Sequence, residues 1–224
     1  MVMTRRDIIE VGRRLWQRGL VSGTDGNLSI RMKNGRILAT VSGVAKGFLK
    51  DGDIVEMRLD GTIIGERKKR PSSEIRMHLT TYRLRPDVAA ICHAHPPYAT
   101  AFAVAGRGIT GCVIPEIIVA LGAIPLAPYA TPSTEEVPES IEPYIRGADA
   151  VLLENHGALT VGADLFEALY KMESLDHAAR ILLASMPLGG PHALNPEQVA
   201  KLRDTRRRLG FQNPAPLCNE DEPY

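Results

Sequence analysis

Two histidines one residue apart are the first residues in this chain that could do chemistry. His93 and His95 lie in "ICHAHPPYATAF", residues 91–102, where an apolar run meets two prolines. In an extended strand the side chains at i and i+2 point to one face, so the two imidazoles project together. Read alone, the pair is either an ordinary strand filling or two arms of a metal site. A metal needs a third arm. His156, in "LLENHGAL", stands at another predicted strand end, and the Gly157 that follows lets the backbone turn sharply or approach a ligand closely. Three neutral imidazoles around Zn2+ leave one coordination position open, as in catalytic rather than structural sites. The alternative for His156 is a turn cap. His78 and His177 fall inside predicted helices and His192 in a loop, which favours structural roles for all three.

Three further segments suit an anion: "SGTDGNLS" (22–29), "SGVAKG" (42–47) and "PSSE" (71–74). Gly26 and Gly43 allow backbone N–H groups to curl into a nest. Ser72 and Ser73 stand at a helix start, where unpaired N–H groups and hydroxyls favour phosphate. Lys46 could add positive charge. Each segment also reads as something plainer, namely a tight turn, a hairpin loop and an N-cap. Three of them beside a histidine trio point to a phosphorylated ligand.

The elements that must position these residues follow from patterning. Thr4-Arg-Arg-Asp7 resembles a capping box, and Ile8, Leu15 and Trp16 continue at helical spacing, predicting a helix over 4–18. Strands are predicted at 27–31 and 36–41 around Lys33-Asn34-Gly35, and at 53–59 and 62–64 around Asp60-Gly61. A helix opens at Pro71-Ser72-Ser73-Glu74 and stops at Arg85-Pro86. A strand over 87–92 delivers the two histidines. Helices over 98–105 and 116–121, a short strand before Tyr129, and a partly helical 134–146 containing Pro138 and Pro143 come next. Strands at 150–153 and 158–161 precede helices over 164–184 and 195–209. The order predicts one α/β domain over 1–212 with a largely antiparallel central sheet between helical layers. Residues 213–224, polar and proline-rich, read as a loose tail.

Composition narrows the function classes. At 224 residues, 44% hydrophobic and 24% charged, the chain can bury a real core. A net charge of +1 gives no field for nucleic acid or an anionic membrane. The basic clusters at 67–70 and 206–208 read as solvated surface. No apolar run reaches the ~18 residues of a membrane span, and no signal peptide is visible. Three cysteines, Cys92, Cys112 and Cys218, are an odd number without CxxC spacing. They argue against a disulfide framework and for a reducing, cytoplasmic setting.

Taken in order, Gly26-Asn27-Leu28-Ser29, Ser42-Gly43, Pro71-Ser72-Ser73-Glu74, His93-Ala94-His95, Pro128-Tyr129 and Asn155-His156-Gly157 resemble the class II aldolase/adducin family, in its L-fuculose-1-phosphate aldolase-like branch. The resemblance covers about residues 5–185. It implies a three-layer α/β/α fold in a homotetramer with active sites between subunits. It implies one Zn2+ per subunit held by His93, His95 and His156, with Glu74 as catalytic acid/base and as a metal ligand before substrate binds. It also implies that Gly26, Asn27, Ser42, Gly43, Ser72 and Ser73 hold the substrate phosphate. The implied reaction is cleavage of a ketose 1-phosphate, such as fuculose 1-phosphate or a 5-deoxy or methylthio pentulose 1-phosphate, to dihydroxyacetone phosphate and an aldehyde.

The chemistry of the residues agrees with this. Retro-aldol cleavage leaves negative charge on a carbonyl oxygen, which a metal ion with an open position stabilises. A carboxylate beside the enediolate carbon moves its proton. No lysine stands out as a Schiff-base nucleophile. Two departures from the family pattern concern the aldehyde end. Glu116 in "VIPEIIVALG" stands where the aldolases are expected to carry a proton-donating tyrosine, and is taken as a second catalytic residue. Arg208-Leu209-Gly210-Phe211 replaces a C-terminal Tyr-Gly step. A methylthioribulose-1-phosphate dehydratase, or an epimerase or decarboxylase on the same scaffold, is the alternative. Glutamate rather than aspartate after Ser72-Ser73 speaks against the epimerases. An adducin-like interaction module is disfavoured by the intact histidines.

Overall fold

Along the strand Ala90–Ala94, the residues Ala90, Cys92 and Ala94 enter one apolar core and Ile91 enters a second. A sheet buried on both faces needs helices on both. The computed structural model describes residues 3–65, 69–211 and 218. Its strands are β1 (Asn27–Arg31), β2 (Ile37–Thr40), β3 (Ile54–Met57), β4 (Ile63–Ile64), β5 (Ala90–Ala94), β6 (Leu126–Ala127), β7 (Ala150–Leu153) and β8 (Gly157–Gly162). They form one sheet in the order β4-β3-β2-β1-β5-β8-β7-β6. All neighbours are antiparallel except β6 and β7. The largely antiparallel expectation is met.

The first core is closed by α1 (Arg5–Gln17), α3 (Pro97–Val104) and α6 (Leu165–Ser185). The second is closed by α2 (Ile75–Leu84) and α5 (Glu136–Ile145). This is the expected three-layer α/β/α arrangement. Ile91 and Leu159 are fully buried under α2 and α5, and truncating either to alanine is worth roughly 2–5 kcal/mol of stability. The remaining helices, α4 (Pro115–Ala120) and α7 (Pro196–Arg208), pack together around Cys112, Ile118, Val199 and Cys218.

Four details differ from the sequence reading. The histidine strand begins later and runs to Ala94, because Arg85 folds back onto Asp87 at 2.7 Å and holds 85–87 outside the sheet. Pro143 lies inside α5 near its C-terminal end, where it has no N–H to offer the Glu139 carbonyl and costs the helix one hydrogen bond. Arg206 is buried at 8% exposure, stacked 4.8 Å from the Phe211 ring centroid and bonded to the Val119 carbonyl. Its stem covers apolar surface that the run of three arginines had suggested was solvated. In the other basic cluster Lys69 and Arg70 are exposed, while Arg67 and Lys68 lie outside the described residues.

The fourth is the largest. Cys112 and Cys218 form a disulfide, with Cα atoms 5.2 Å apart. The bond spans 106 residues of sequence, and cysteine count and local spacing are blind to a pair that only tertiary structure brings together. It removes the cysteine argument for a reducing setting. Cys218 is buried; the other residues of the predicted tail lie outside the described ones. Among the described residues, no helix is long and apolar enough to cross a membrane.

Candidate metal centre and substrate cleft

Strand alternation assembles the site. Leu28 and Ile30 of β1 point to the first core, so Asn27 and Ser29 point to the opposite face, towards α2. Asn27 is the register partner of His93 across β1 and β5, and Leu159 is its partner across β5 and β8. His93 shares the face of Ile91, again towards α2. Glu74 is the N-cap residue of α2 and meets that face at its end. His95 lies one residue beyond β5. His156 lies in the turn between β7 and β8, where Asn155 takes the left-handed conformation at φ 56°. Gly157 serves close packing: a Cβ there would stand 2.6 Å from both the Ala94 carbonyl oxygen and the His95 ring.

The three histidines converge. Their ring centroids stand 4.9 to 5.0 Å apart with interplanar angles of 63° to 69°, a nearly three-fold arrangement. The facing Nε2 atoms of His93 and His95 are 3.2 Å apart. Ligands about 2.05 Å from a common tetrahedral centre stand about 3.3 Å from one another. Nδ1 of His93 lies 2.9 Å from the Ala158 carbonyl. A carbonyl only accepts, so the proton sits on Nδ1 and the Nε2 lone pair faces inward. Asp25 lies 3.7 Å from His95 Nδ1 on the outer side. Glu74 completes the set, with Oε2 3.0 Å from His93 Nε2 and Oε1 3.2 Å from His156 Nε2. Oε1 is buried without a hydrogen-bond partner, as a fourth ligand atom would be. The donor set therefore fits a divalent ion.

Electrostatics favour the same state. Burial lowers the His95 and His156 imidazoles to about 3 and about 4, with His93 adding to the effect. Burial alone would raise Glu74, but His93, His156 and His95 outweigh it and hold the carboxyl at about 2. At neutral pH the centre presents two neutral imidazoles and a carboxylate without releasing protons.

Beside the centre opens a cleft of about 390 Å³ lined by Gly26, Asn27, Ser42, Gly43, Lys46, Ser72 and Ser73 among others. All six predicted phosphate residues meet there. Gly26 holds φ +73°, and a Cβ on it would stand 2.8 Å from the His93 carbonyl oxygen. Asn27 also has a duty the sequence did not suggest: its Nδ2 donates to Glu74 Oε2 at 3.3 Å. Ser72 Oγ accepts from the Glu74 N–H at 3.4 Å, and the Ser73 and Ser133 hydroxyls meet at 2.7 Å.

Ser133, at φ +69°, and Asp25 are cleft residues that the sequence reading missed. The only signal for Ser133 was its place in the Pro-Ser-Thr loop after Tyr129. Glu116 is not brought to the cleft: it is exposed on α4. His78 is fully buried, bonded through Nδ1 to Ser29 Oγ at 2.7 Å, and His177 and His192 are exposed.

The model of the class II aldolase and adducin N-terminal domain matches residues 6–183. The chain belongs to this family. An L-fuculose phosphate aldolase of Methanocaldococcus jannaschii is 34% identical over 82% of the chain and 98% of its own length. A 5-deoxy-D-ribulose 1-phosphate aldolase of Bacillus thuringiensis is 33% identical over 93% of the chain and 97% of its own length. A solved structure of an L-fuculose 1-phosphate aldolase superposes with a TM-score of 0.83 at 31% identity, covering 92% of this chain and 98% of the other. Such a family member, with its histidine trio intact, is a metal-dependent aldolase-class lyase.

Proposed function

We propose that the chain is a zinc-dependent aldolase that cleaves a ketose 1-phosphate to dihydroxyacetone phosphate and an aldehyde. The observation that carries this reading is the convergence of His93, His95, His156 and Glu74 at one end of a cleft walled by the serine and glycine loops. Three imidazoles and a carboxylate suit Zn2+. When bound, the ion supplies Lewis-acid stabilisation of the negative charge that cleavage creates on the ketose oxygens.

The chain's own residues do the rest. Ser42, Gly43, Ser72 and Ser73 seat the phosphate and fix the sugar's register against Glu74. Glu74 moves a proton between its carboxylate and the carbon freed by bond cleavage, and the Asn27 amide holds that carboxylate in place. Glu116 handles the hydroxyl proton at the aldehyde end. It is exposed on α4, and on this reading it would serve the cleft of a neighbouring subunit in a homotetramer.

Metal-loaded protein should be offered L-fuculose, 5-deoxyribulose and methylthioribulose 1-phosphates, with dihydroxyacetone phosphate followed through an NADH-consuming dehydrogenase. Release of that triose phosphate is the expected result. Substrate loss without it would replace the reading with a dehydratase or decarboxylase. Glu74→Gln should keep its metal and lose roughly 10²-fold or more in turnover; unchanged turnover would remove Glu74 from its role. Mixing Glu74→Gln with Glu116→Gln subunits should restore activity if the two residues serve one site from different chains.

A further inference from the structure

Lys46 is a buried cation with no acid paired to it. It is 2% exposed, and its Nζ donates to the carbonyls of Thr24 at 2.8 Å and Val44 at 2.7 Å. Among the described residues, no carboxylate lies in ion-pair contact with it; Asp25 acts on it only from further away. An ammonium has three N–H bonds, and these carbonyls use two. Two neutral acceptors offset only part of the penalty for burying a charge, and burial draws the amine down to about 8.

The location gives this cation its meaning. Lys46 lines the same cleft as Ser42, Gly43, Ser72 and Ser73. Its two acceptors belong to the two glycine loops, so it braces Thr24 against Val44 across the cleft wall. Among the described residues, the backbone N–H groups of Gly43 and Ser73 make no hydrogen bond. The segment is held firmly from behind by α1. A Cβ on Gly12 would stand 2.5 Å from the Lys46 carbonyl oxygen, and one on Gly47 would stand 2.5 Å from the Trp16 ring. Trp16 then meets Phe48 edge to face at 5.1 Å. A preformed concavity with a cation, free N–H groups and hydroxyls is complete only with an anion in it.

We propose that Lys46 gives its third N–H to the substrate phosphate and is the residue by which the cleft prefers a phosphorylated ketose to the free sugar. This rests on the cleft reading under Proposed function.

Inorganic phosphate is the probe, titrated calorimetrically into metal-loaded protein. Lys46→Gln should weaken phosphate binding at least tenfold and leave metal content unchanged, while Lys46→Arg stays within about threefold, since one hydrogen bond to a charged group is worth a tenfold change or more. With the phosphorylated substrate, Lys46→Gln should raise KM far more than it lowers kcat. Equal phosphate affinity in wild type and Lys46→Gln would overturn the proposal. Should Lys46→Gln fail to fold, a crystal of wild type grown with phosphate decides. Nζ hydrogen-bonded to a phosphate oxygen supports the assignment, and phosphate seated away from Nζ overturns it. If wild type cleaves no ketose 1-phosphate yet loses phosphate affinity with Lys46, the functional reading falls and this assignment stands. Cleavage with phosphate affinity indifferent to Lys46 gives the reverse.

Discussion

The Asn27 amide nitrogen donates to Glu74 Oε2 at 3.3 Å, although 47 residues separate the two in sequence. Asn27 is on the sheet and Glu74 stands at the N-cap position of the helix above it, so this bond ties the carboxylate to the framework. The amide cannot be turned over, because its oxygen would then face the carboxylate. Oδ1 is buried without a partner and cannot bind an anion, so on the proposed reading only the second amide hydrogen can reach a substrate.

Asn27→Ala should therefore lower kcat about tenfold, the worth of one hydrogen bond to a charged group, with metal content unchanged. Asn27→Asp should be worse, since it sets a second carboxylate against Glu74. Steady-state kinetics with metal analysis check this. A change confined to KM would leave Asn27 as a phosphate ligand alone.

His95 is the most exposed of the three imidazoles, with a side chain 27% exposed against 0% for His93 and 11% for His156. His95→Ala should nonetheless abolish metal retention after dialysis and activity together, because two imidazoles hold a catalytic ion poorly. The exposed His177→Ala on α6 should keep both. Full activity in His95→Ala would refute the metal assignment.

Much of this site was legible in the sequence because strand period and cap chemistry are local. The i, i+2 spacing of His93 and His95, and the Ser-Ser-Glu start of α2, fix which way those side chains point before any tertiary contact forms. His156 was legible as a third arm from its place at a strand end before Gly157, and the family likeness agreed. What stayed hidden depended on distant packing. Asn27 against Glu74, Lys46 across two loops, Ser133 beside Ser73 and the Cys112–Cys218 bond all link residues with no shared local pattern. Glu116 is the opposite case: the sequence named it, and the fold leaves it exposed and outside the cleft.

Acid should destabilise the metal-free protein. Burial lowers His78, His95 and His156 to about 3, about 3 and about 4, against about 6.5 in an unfolded chain. Folded-state values below the unfolded one mean that the unfolded chain binds more protons under pH 6.5, so stability falls as pH drops from there towards 4. Each histidine adds up to about 1.4 kcal/mol per pH unit in that window. Glu74, held at about 2, acts in the same direction only below its unfolded value near 4.5. Urea midpoints with a chelator present should decline from pH 7.5 to 6 to 5, and His78→Gln should flatten the slope. A midpoint that holds or rises on acidification would contradict the buried, neutral histidines.

The Cys112–Cys218 bond ties the segment leading into α4 to a residue beyond α7, closing a loop of about a hundred residues. Chain-entropy arguments give such a cross-link about 2–4 kcal/mol, with an upper figure near 5. Thermal unfolding of untreated protein should therefore exceed that of reduced protein by roughly 5–15 °C for a chain of this size. Cys218→Ser should melt at the reduced temperature whether or not reductant is added. Thiol titration in denaturant should find one free thiol, Cys92, in the untreated chain. Three free thiols there, or melting indifferent to reductant, would show that the bond does not hold the native protein together.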